Sequence, residues 1–121
     1  MRIISFHWTV EALLAGAKTV TRREWSEKYA RSFKAGERVQ AWDKSPRYGG
    51  KKVAVIELTQ DPYQEYLDDA PASDFQAEGL QWMVDNNHDM PSGIPAYDFW
   101  ECWQENNPLV WVVRFKLVEV Q

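Results

Sequence analysis

The sequence predicts an α+β fold in which about five or six strands curl into a small pseudo-barrel with helices inserted around it. Strand-like and helix-like stretches follow one another without the regular β-α-β alternation of a doubly wound sheet. The last strand-like stretch, residues 109–120, is long for a strand, and long strands often bend around a small barrel. With 121 residues, 45% of them hydrophobic, the chain is expected to fold as one domain over residues 1–121.

The first part of the chain begins with a short apolar run, residues 3–6, that predicts a strand. A helix is predicted over 10–15, with Thr9 as its N-cap and Gly16 as the residue that ends it. The β-branched residues that follow predict a strand over 19–23.

A second helix is predicted over 25–33, where Tyr29 and Phe33 are four residues apart and share one face. Its start is expected either at Ser26 as N-cap or at the Arg-Glu-Trp corner of residues 23–25. Apolar and polar residues alternate over 38–43, which predicts the next strand.

The second part of the chain begins with the clearest central strand, predicted over 53–59. Residues 61–69 have no clear period, so an irregular or briefly helical segment is expected there. A helix is predicted over 74–85, with Ser73 as its N-cap.

A loop is expected over 86–95, where polar residues and proline interrupt any period. Phe99 and Trp103 then recur at helical spacing and predict a helix over 96–106. The long strand over 109–120 completes the predicted fold.

Charge is distributed unevenly along the chain. The net charge is −4, but residues 17–52 contain eleven Lys or Arg and four Asp or Glu, whereas residues 53–121 contain two and thirteen. A basic surface on an acidic protein suits a defined anionic ligand or a short nucleic acid. Extensive binding to duplex nucleic acid is not expected, because that requires broad neutralisation of phosphates.

Cysteine and histidine are too few for a disulfide framework or a zinc site, since the chain has one cysteine, Cys102, and two widely separated histidines. No stretch is long and apolar enough to cross a bilayer, and the N-terminus lacks the long apolar segment of a signal peptide. A soluble cytoplasmic protein that needs neither metal nor cofactor is therefore expected.

The most informative segment, residues 16–23, follows a predicted helix end with a lysine, two threonines and two arginines. In a strand, Thr21 and Arg23 share one face and Arg22 lies on the other. A polar row where a structural strand would carry an apolar one indicates a site for a small anionic or polar ligand. Lys18, at the corner before the strand, is within reach of that site.

The pattern Gly16-x-Lys18-Thr19-x-Thr21-x-Arg23 resembles the signature of the ASCH domain, a branch of the PUA-like superfamily. The turn Lys34-x-Gly36-Glu37-x-Val39 and the later pair Glu78-Gly79 agree with this resemblance, which covers nearly the whole chain. Many ASCH domains have glutamate at the position of Thr21. The bacterial N4-acetylcytidine amidohydrolases of the family have threonine there, as this chain does.

The resemblance implies a pseudo-barrel with a cleft between barrel and helices, and a nucleoside or short single-stranded RNA as ligand. It implies three possible activities: RNA or base binding without chemistry, amide hydrolysis on N4-acetylated cytidine, and ribonuclease activity. The catalytic lysine, threonine and glutamate of the amidohydrolases match Lys18, Thr21 and Glu78. Whether the cleft catalyses or only binds stays open at this point, as do a role in protein interaction and the oligomeric state.

Amide hydrolysis needs a nucleophile, a proton carrier and a group that stabilises an oxyanion. Thr21 offers a hydroxyl, and Lys18 can deprotonate it or a water, provided that burial and the neighbouring arginines lower the lysine pKa. Glu78 can protonate the leaving amino group, and Arg23 can hold a carbonyl or phosphate oxygen. Each residue also has an ordinary structural interpretation: surface lysine, strand-forming threonine, helix carboxylate and ion-pair arginine.

Ligand contacts outside this segment are expected from aromatic and basic residues near it. Trp25 follows the arginine pair Arg22 and Arg23, and Trp42 precedes a basic loop. An aromatic side chain stacked on a base contributes about 1–3 kcal/mol. The loop residues expected to contact the ligand are Lys44, Arg47 and Tyr48. The tryptophans expected in the core are Trp82, Trp100, Trp103 and Trp111.

Overall fold

The computed structural model describes residues 1–88 and 90–121. The strands are β1 (Ile3–Ser5), β2 (Val20–Arg23), β3 (Arg38–Trp42), β4 (Lys52–Leu58), β5 (Tyr63–Tyr66) and β6 (Leu109–Val120). The α-helices are α1 (Val10–Leu14), α2 (Glu27–Arg31), α3 (Asp74–Ala77), α4 (Leu80–Asp85) and α5 (Ala96–Asn106). Short 3-10 turns lie at His7–Thr9, Pro46–Tyr48 and Leu67–Asp69.

The six strands form one curled sheet in the order β1-β3-β4-β6-β2, and β5 also pairs with β6. β1 is parallel to β3, and the other pairs are antiparallel. The long β6 pairs with β2 and β5 through its first part and with β4 through its second. The α+β class and the small curled pseudo-barrel predicted from the sequence are confirmed.

The sheet is a half-barrel, because among the described residues no strand pairing joins its two ends, β1 and β2. A side chain crosses this gap: Arg23 Nη2 donates a hydrogen bond to the main-chain oxygen of Ser5 at 2.7 Å. We call the gap between β1 and β2 the seam. The seam positions the candidate site described below.

Two groups of buried side chains flank the seam. The barrel core contains apolar residues from the sheet, from α1 and from the segment after α2, among them Leu13, Phe33, Val39, Ile56 and Val113. A smaller cluster holds α4 and α5 together through Leu80, Met83, Met90 and Ala96. The helices therefore form a second wall opposite the barrel.

The sequence interpretation of residues 61–69 as irregular or briefly helical is wrong for its first part, which forms β5. Apolar alternation is weak there, because Tyr63–Tyr66 reads Tyr-Gln-Glu-Tyr and its side chains are half-buried or exposed. The strand is fixed instead by its register against β6, from Tyr63 opposite Val112 to Tyr66 opposite Leu109. Tertiary pairing therefore decides this element.

The predicted single helix over 74–85 is divided into α3 and α4 at Gly79, whose φ of 90° is left-handed.

The caps of two helices also differ from expectation. Ser73 makes no side-chain cap bond, and Thr9 donates its hydroxyl to the Phe6 carbonyl at 2.8 Å. The expected cap at Ser26 is confirmed, since its side chain accepts a hydrogen bond from the main-chain N–H of Tyr29.

The helix predicted over 96–106 and the final strand predicted over 109–120 are confirmed with the same bounds. The loop expected over 86–95 includes Asp89, which lies outside the described residues. No helix in the described part of the chain has the length and apolar character required to span a membrane.

Candidate functional site

A cavity of about 400 Å³ lies at the seam, between the barrel and the helices α4 and α5. This volume is typical of small-molecule sites. Its polar side includes Lys18, Thr21, Arg23 and Glu78. Its apolar side includes Trp8, Leu80, Phe99 and Trp103. The fold thus brings the three side chains predicted to be catalytic to one concave surface.

Lys18 and Glu78 form a buried ion pair in this cavity. Lys18 Nζ donates to Glu78 Oε1 at 3.0 Å and to the Glu78 main-chain oxygen, also at 3.0 Å. Only 3% of the Lys18 side-chain surface and 6% of that of Glu78 are exposed. A pair so well enclosed is held in one geometry, as a catalytic group requires.

Gly79 allows the chain segments that carry the pair to approach each other. A Cβ atom at Gly79 would lie 2.8 Å from the Cβ of Ala12 and 3.3 Å from the Cβ of Lys18. Lys18 itself is fixed by the end of α1, because its main-chain N–H donates to the Ala12 carbonyl. The Glu78-Gly79 pair therefore has two roles: a carboxylate that reaches Lys18 and a glycine that makes room for it.

Burial lowers the pKa of Lys18 below its ordinary value, and the positive charges of Arg23 and Arg22 act in the same direction. The Glu78 carboxylate opposes this effect through its charge and its hydrogen bond, but it does not outweigh it. A lysine with a lowered pKa is more often neutral near neutral pH and can then accept a proton.

Thr21 is buried, and its hydroxyl oxygen accepts a hydrogen bond from Arg23 Nε at 3.0 Å. This donor leaves the hydroxyl hydrogen to point elsewhere, and a guanidinium on the oxygen stabilises negative charge that develops there. Arg23 Nη2 is bound to the Ser5 carbonyl, which leaves Nη1 to meet an oxygen of a ligand. Thr21 and Arg23 share the cavity side of β2, as the strand period predicts.

Arg22 differs from the expectation that it contacts a ligand. Its side chain is fully enclosed. It donates to Glu78 Oε2 at 2.7 Å, to Glu65 Oε1 at 3.0 Å and to Asp74 Oδ2. Although it borders the cavity, its charge is directed to Glu78 in the cavity wall and to Glu65 and Asp74, which do not line the cavity. Its role in the structure is therefore to hold Glu78 from the side opposite to Lys18.

The aromatic wall of the cavity was not predicted. Trp8 and Phe99 meet edge to face with ring centroids 5.3 Å apart, and Phe99 lies 5.6 Å from Trp103. The sequence interpretation assigned Trp103 to the core, and it lines the cavity instead. The spacing of Phe99 and Trp103 on one face of α5 was the available signal, but it does not distinguish a core face from a ligand wall.

Trp25 and Trp42, predicted to stack on a base, are not among the residues that line the cavity. Trp25 packs against the barrel core and is stacked on Phe33 at 4.9 Å. Trp42 donates its indole N–H to Gln40 Oε1 at 2.9 Å. Trp25 therefore packs within the protein, and the Trp42 indole N–H already has a hydrogen-bond partner within it.

Lys44, Arg47 and Tyr48 are exposed and also lie outside the cavity. They belong to a segment, loop 43–51, that follows β3. Because β1 and β3 are parallel and Ser5 pairs with Trp42, this loop begins at the sheet edge where β1 leads into the cavity wall. The predicted basic residues therefore follow the strand end that pairs with the start of the cavity wall, and they do not line the cavity themselves.

Loop 43–51 has a defined conformation. Asp43 Oδ1 accepts hydrogen bonds from the main-chain N–H groups of Lys44 and Lys51, each at 2.8 Å. These bonds, first that of Lys51, hold the pKa of Asp43 below its ordinary value. A Cβ atom at Gly50 would lie 1.9 Å from the Lys44 carbonyl oxygen, so only glycine fits the closure of the loop.

His7 also lines the cavity, from the turn after β1, with a left-handed φ of 50° that is uncommon outside glycine. Sequence analysis did not single it out. Among the described residues, no three His, Cys, Asp or Glu side chains are grouped so as to hold a metal ion. The site thus consists of a buried cation–carboxylate pair, a hydroxyl, an arginine and an aromatic wall.

Comparisons with known proteins bear on the fold. No protein-family model matches the chain, and the comparison with curated proteins gives no significant match. The crystal structure of protein EF3133 from Enterococcus faecalis V583, described by the family model DUF984, is similar, with a TM-score of 0.59 and 16% sequence identity. The match covers 95% of this chain and 72% of that one. At this identity the likeness shows a shared fold and nothing finer.

Proposed function

We propose that the protein hydrolyses the amide bond of an N4-acylated cytosine nucleoside in the seam cavity. The observation that carries this proposal is the buried contact of Lys18 with Glu78 in a cavity that Thr21 and Arg23 also line. Amide hydrolysis requires a proton carrier, a nucleophile and an oxyanion partner, and these residue types line the same cavity. The resemblance to ASCH-type amidohydrolases in the segment 16–23 points to the same chemistry.

In the proposed reaction, neutral Lys18 takes the hydroxyl proton of Thr21, and the Thr21 oxygen attacks the acyl carbonyl carbon. The carbonyl oxygen becomes an oxyanion, which Arg23 Nη1 stabilises. As the C–N4 bond breaks, the proton on Lys18 passes to N4, directly or through Glu78, and cytidine leaves with a free amino group. The acyl group then forms an ester with Thr21.

Water completes the cycle. Lys18 removes a proton from the water, the resulting hydroxide attacks the ester, and the departing Thr21 oxygen regains a proton. The sum is one acylated nucleoside and one water converted to cytidine and a carboxylic acid. If water instead attacks the amide directly, Lys18 and Arg23 keep the same roles and Thr21 only orients the water.

The test is incubation with N4-acetylcytidine, followed by chromatography for cytidine and acetate. We expect turnover by the wild type and a loss of about 10²–10⁴-fold in kcat for Lys18→Met, which removes the proton carrier at similar length. Thr21→Val keeps the shape of the side chain and distinguishes the two routes, since residual turnover favours direct attack by water. Normal turnover by Lys18→Met would overturn the mechanism.

A second function, binding of single-stranded RNA, is supported by loop 43–51. The loop has a defined conformation, its residues 44–51 include three Lys or Arg and no Asp or Glu, and Tyr48 is 69% exposed. Basic and aromatic side chains presented together are typical of single-strand binding surfaces. Ribonuclease activity has no comparable observation in its favour.

This second function is tested by fluorescence anisotropy with a labelled oligoribonucleotide at several salt concentrations. We expect salt-sensitive binding that weakens about 5- to 100-fold for Tyr48→Ala and also weakens for Arg47→Ala. Lys28→Ala is the matched control, because it removes an exposed positive charge from α2 instead of the loop. The absence of binding at low salt, or an equal effect of the control, would remove this candidate.

A further inference from the structure

A row of alternating charges extends from the cavity into the protein behind it. Lys18 contacts Glu78, Glu78 contacts Arg22, and Arg22 contacts Asp74. Asp74 in turn accepts two hydrogen bonds from Arg114, at 3.1 Å and 2.7 Å. Lys18 lies in the turn between α1 and β2, Arg22 in β2, Arg114 in β6, and Asp74 and Glu78 at the two ends of α3, so this row connects several parts of the fold.

Arg22 is the central member of the row because it is shared among three carboxylates. Its side chain is fully buried, and it binds Glu78, Glu65 and Asp74. Its Nε atom is the buried side-chain nitrogen without a hydrogen-bond partner in the described part of the chain. The guanidinium is therefore oriented by its two Nη groups, and the carboxylates compete for one positive charge.

We infer that Asp74 and Glu65 are positioning residues for the proposed hydrolysis. By binding Arg22, they weaken its interaction with Glu78 and so strengthen the interaction of the Glu78 carboxylate with Lys18. This inference rests on the proposed function. Neither Asp74 nor Glu65 is among the residues that line the cavity, so they act through Arg22 and have no contact with the reacting atoms.

The direction of the effect follows from the charges. When either carboxylate is neutralised, one competitor for the Arg22 guanidinium is lost and Arg22 interacts more strongly with Glu78. The Glu78 carboxylate then stabilises the Lys18 ammonium less. The lost negative charge also acts directly through space, and it too had favoured the ammonium. Both effects lower the pKa of Lys18 further, so that its neutral form persists to lower pH.

The groups that face Lys18 come from two elements and a turn. Glu78 faces it from the end of α3, and Arg22 and Arg23 face it from β2. His7 lines the same cavity from the turn after β1. Of these, Glu78 alone favours the ammonium strongly, which is why the hold of Arg22 on Glu78 is the controlling contact.

The experiment measures the pH dependence of kcat/KM with N4-acetylcytidine for the wild type, Asp74→Asn and Glu65→Gln. We expect the acidic limb of the profile to move to lower pH by about half a unit to one unit in both variants. Glu65→Gln keeps the test valid if the more buried Asp74→Asn fails to fold. A protein damaged only in its structure would lose activity at all pH values without moving the limb.

A second readout does not need turnover. The ¹³Cε signal of Lys18, assigned by its absence in Lys18→Met, reports the protonation of the amine directly. Glu57→Gln is the matched control, because Glu57 is also a strand carboxylate held by two cations, Arg38 and Lys116, away from the cavity. It is expected to leave both the profile and the Lys18 titration unchanged.

The two proposals fail in different ways. If wild-type protein does not hydrolyse the substrate but Lys18 titrates lower in both variants, the reaction is wrong and the electrostatic link stands. If Lys18 titrates as in the wild type in every variant that folds, or if Glu57→Gln shifts it equally, the inference is overturned, whatever the turnover.

Discussion

Lys18 binds both the carboxylate and the main-chain carbonyl of Glu78, at 3.0 Å each. The two residues are 60 positions apart in the chain. The carbonyl contact fixes where the amine lies along α3, and the carboxylate contact fixes its electrostatic environment. The Lys18 amine is therefore held by both the main chain and the side chain of Glu78.

The first prediction concerns Gly79. Gly79→Ala is expected to lower the free energy of unfolding by about 1–3 kcal/mol and to reduce activity, because the new methyl group crowds Ala12 and Lys18 and the left-handed φ is strained. Urea unfolding and kcat measure the two effects. Gly36→Ala is the control, since Gly36 has a similar φ of 85° but open space around it. Equal losses in both variants would show that crowding near Lys18 is unimportant.

The second prediction concerns the ion pair itself. Glu78→Gln is expected to lower the free energy of unfolding by about 3–5 kcal/mol, because Arg22 and Lys18 lose the charge that they share. Glu78→Gln leaves Lys18 without its carboxylate, whereas Arg22 keeps Glu65 and Asp74. Lys18→Met in the same chain removes that buried unpaired cation, so the double variant should be more stable than the sum of the single losses indicates. Strictly additive losses in urea unfolding would contradict a coupled pair.

The third prediction concerns the aromatic wall. Phe99→Ala is expected to raise KM for the acylated nucleoside about 5- to 150-fold, the equivalent of about 1–3 kcal/mol of stacking, with a smaller effect on kcat. Tyr97→Ala, on the exposed side of α5, serves as the control. A rise in KM of the same size in Tyr97→Ala would indicate damage to the helix and not loss of a ligand contact.

The fourth prediction concerns stability in acid. Burial acts to raise the pKa of Asp74, but the hydrogen bonds from Arg114 and Arg22 outweigh it and hold that pKa below its ordinary value. A carboxyl of this kind stabilises the fold above its unfolded pKa of about 3.9, and this contribution is lost as the pH falls through its folded value. The stability of Asp74→Asn should therefore depend less on pH in acid. Unfolding in urea from pH 5 downward measures this, and parallel curves for the two proteins would refute it.

The polar part of the site was predictable because its residues are close in sequence. Lys18, Thr21 and Arg23 follow one helix end, and strand alternation directs Thr21 and Arg23 to the same side. Glu78 came from resemblance alone, since no local pattern places a residue 60 positions away. Its partner Arg22 was misinterpreted because a sequence does not show that three carboxylates enclose it.

The aromatic and edge features were less predictable for a physical reason. Phe99 and Trp103 have the spacing of a core face, and whether such a face meets protein or a cavity depends on tertiary packing. β5 depends on its partner β6 and not on its own pattern. Trp25 and Trp42 lie close to the basic residues in sequence, yet Trp25 packs against the barrel core and the Trp42 indole N–H is bound to Gln40.

The seam has a consequence for how the sheet can open. In a closed barrel, widening the mouth would break a row of main-chain hydrogen bonds between neighbouring strands. Here Arg23 bridges the gap between β1 and β2, so a rotation of that side chain releases the Ser5 carbonyl and leaves every row of main-chain hydrogen bonds intact. The arginine that we propose as the partner of the oxyanion is therefore also the residue whose rotation opens this hydrogen bond.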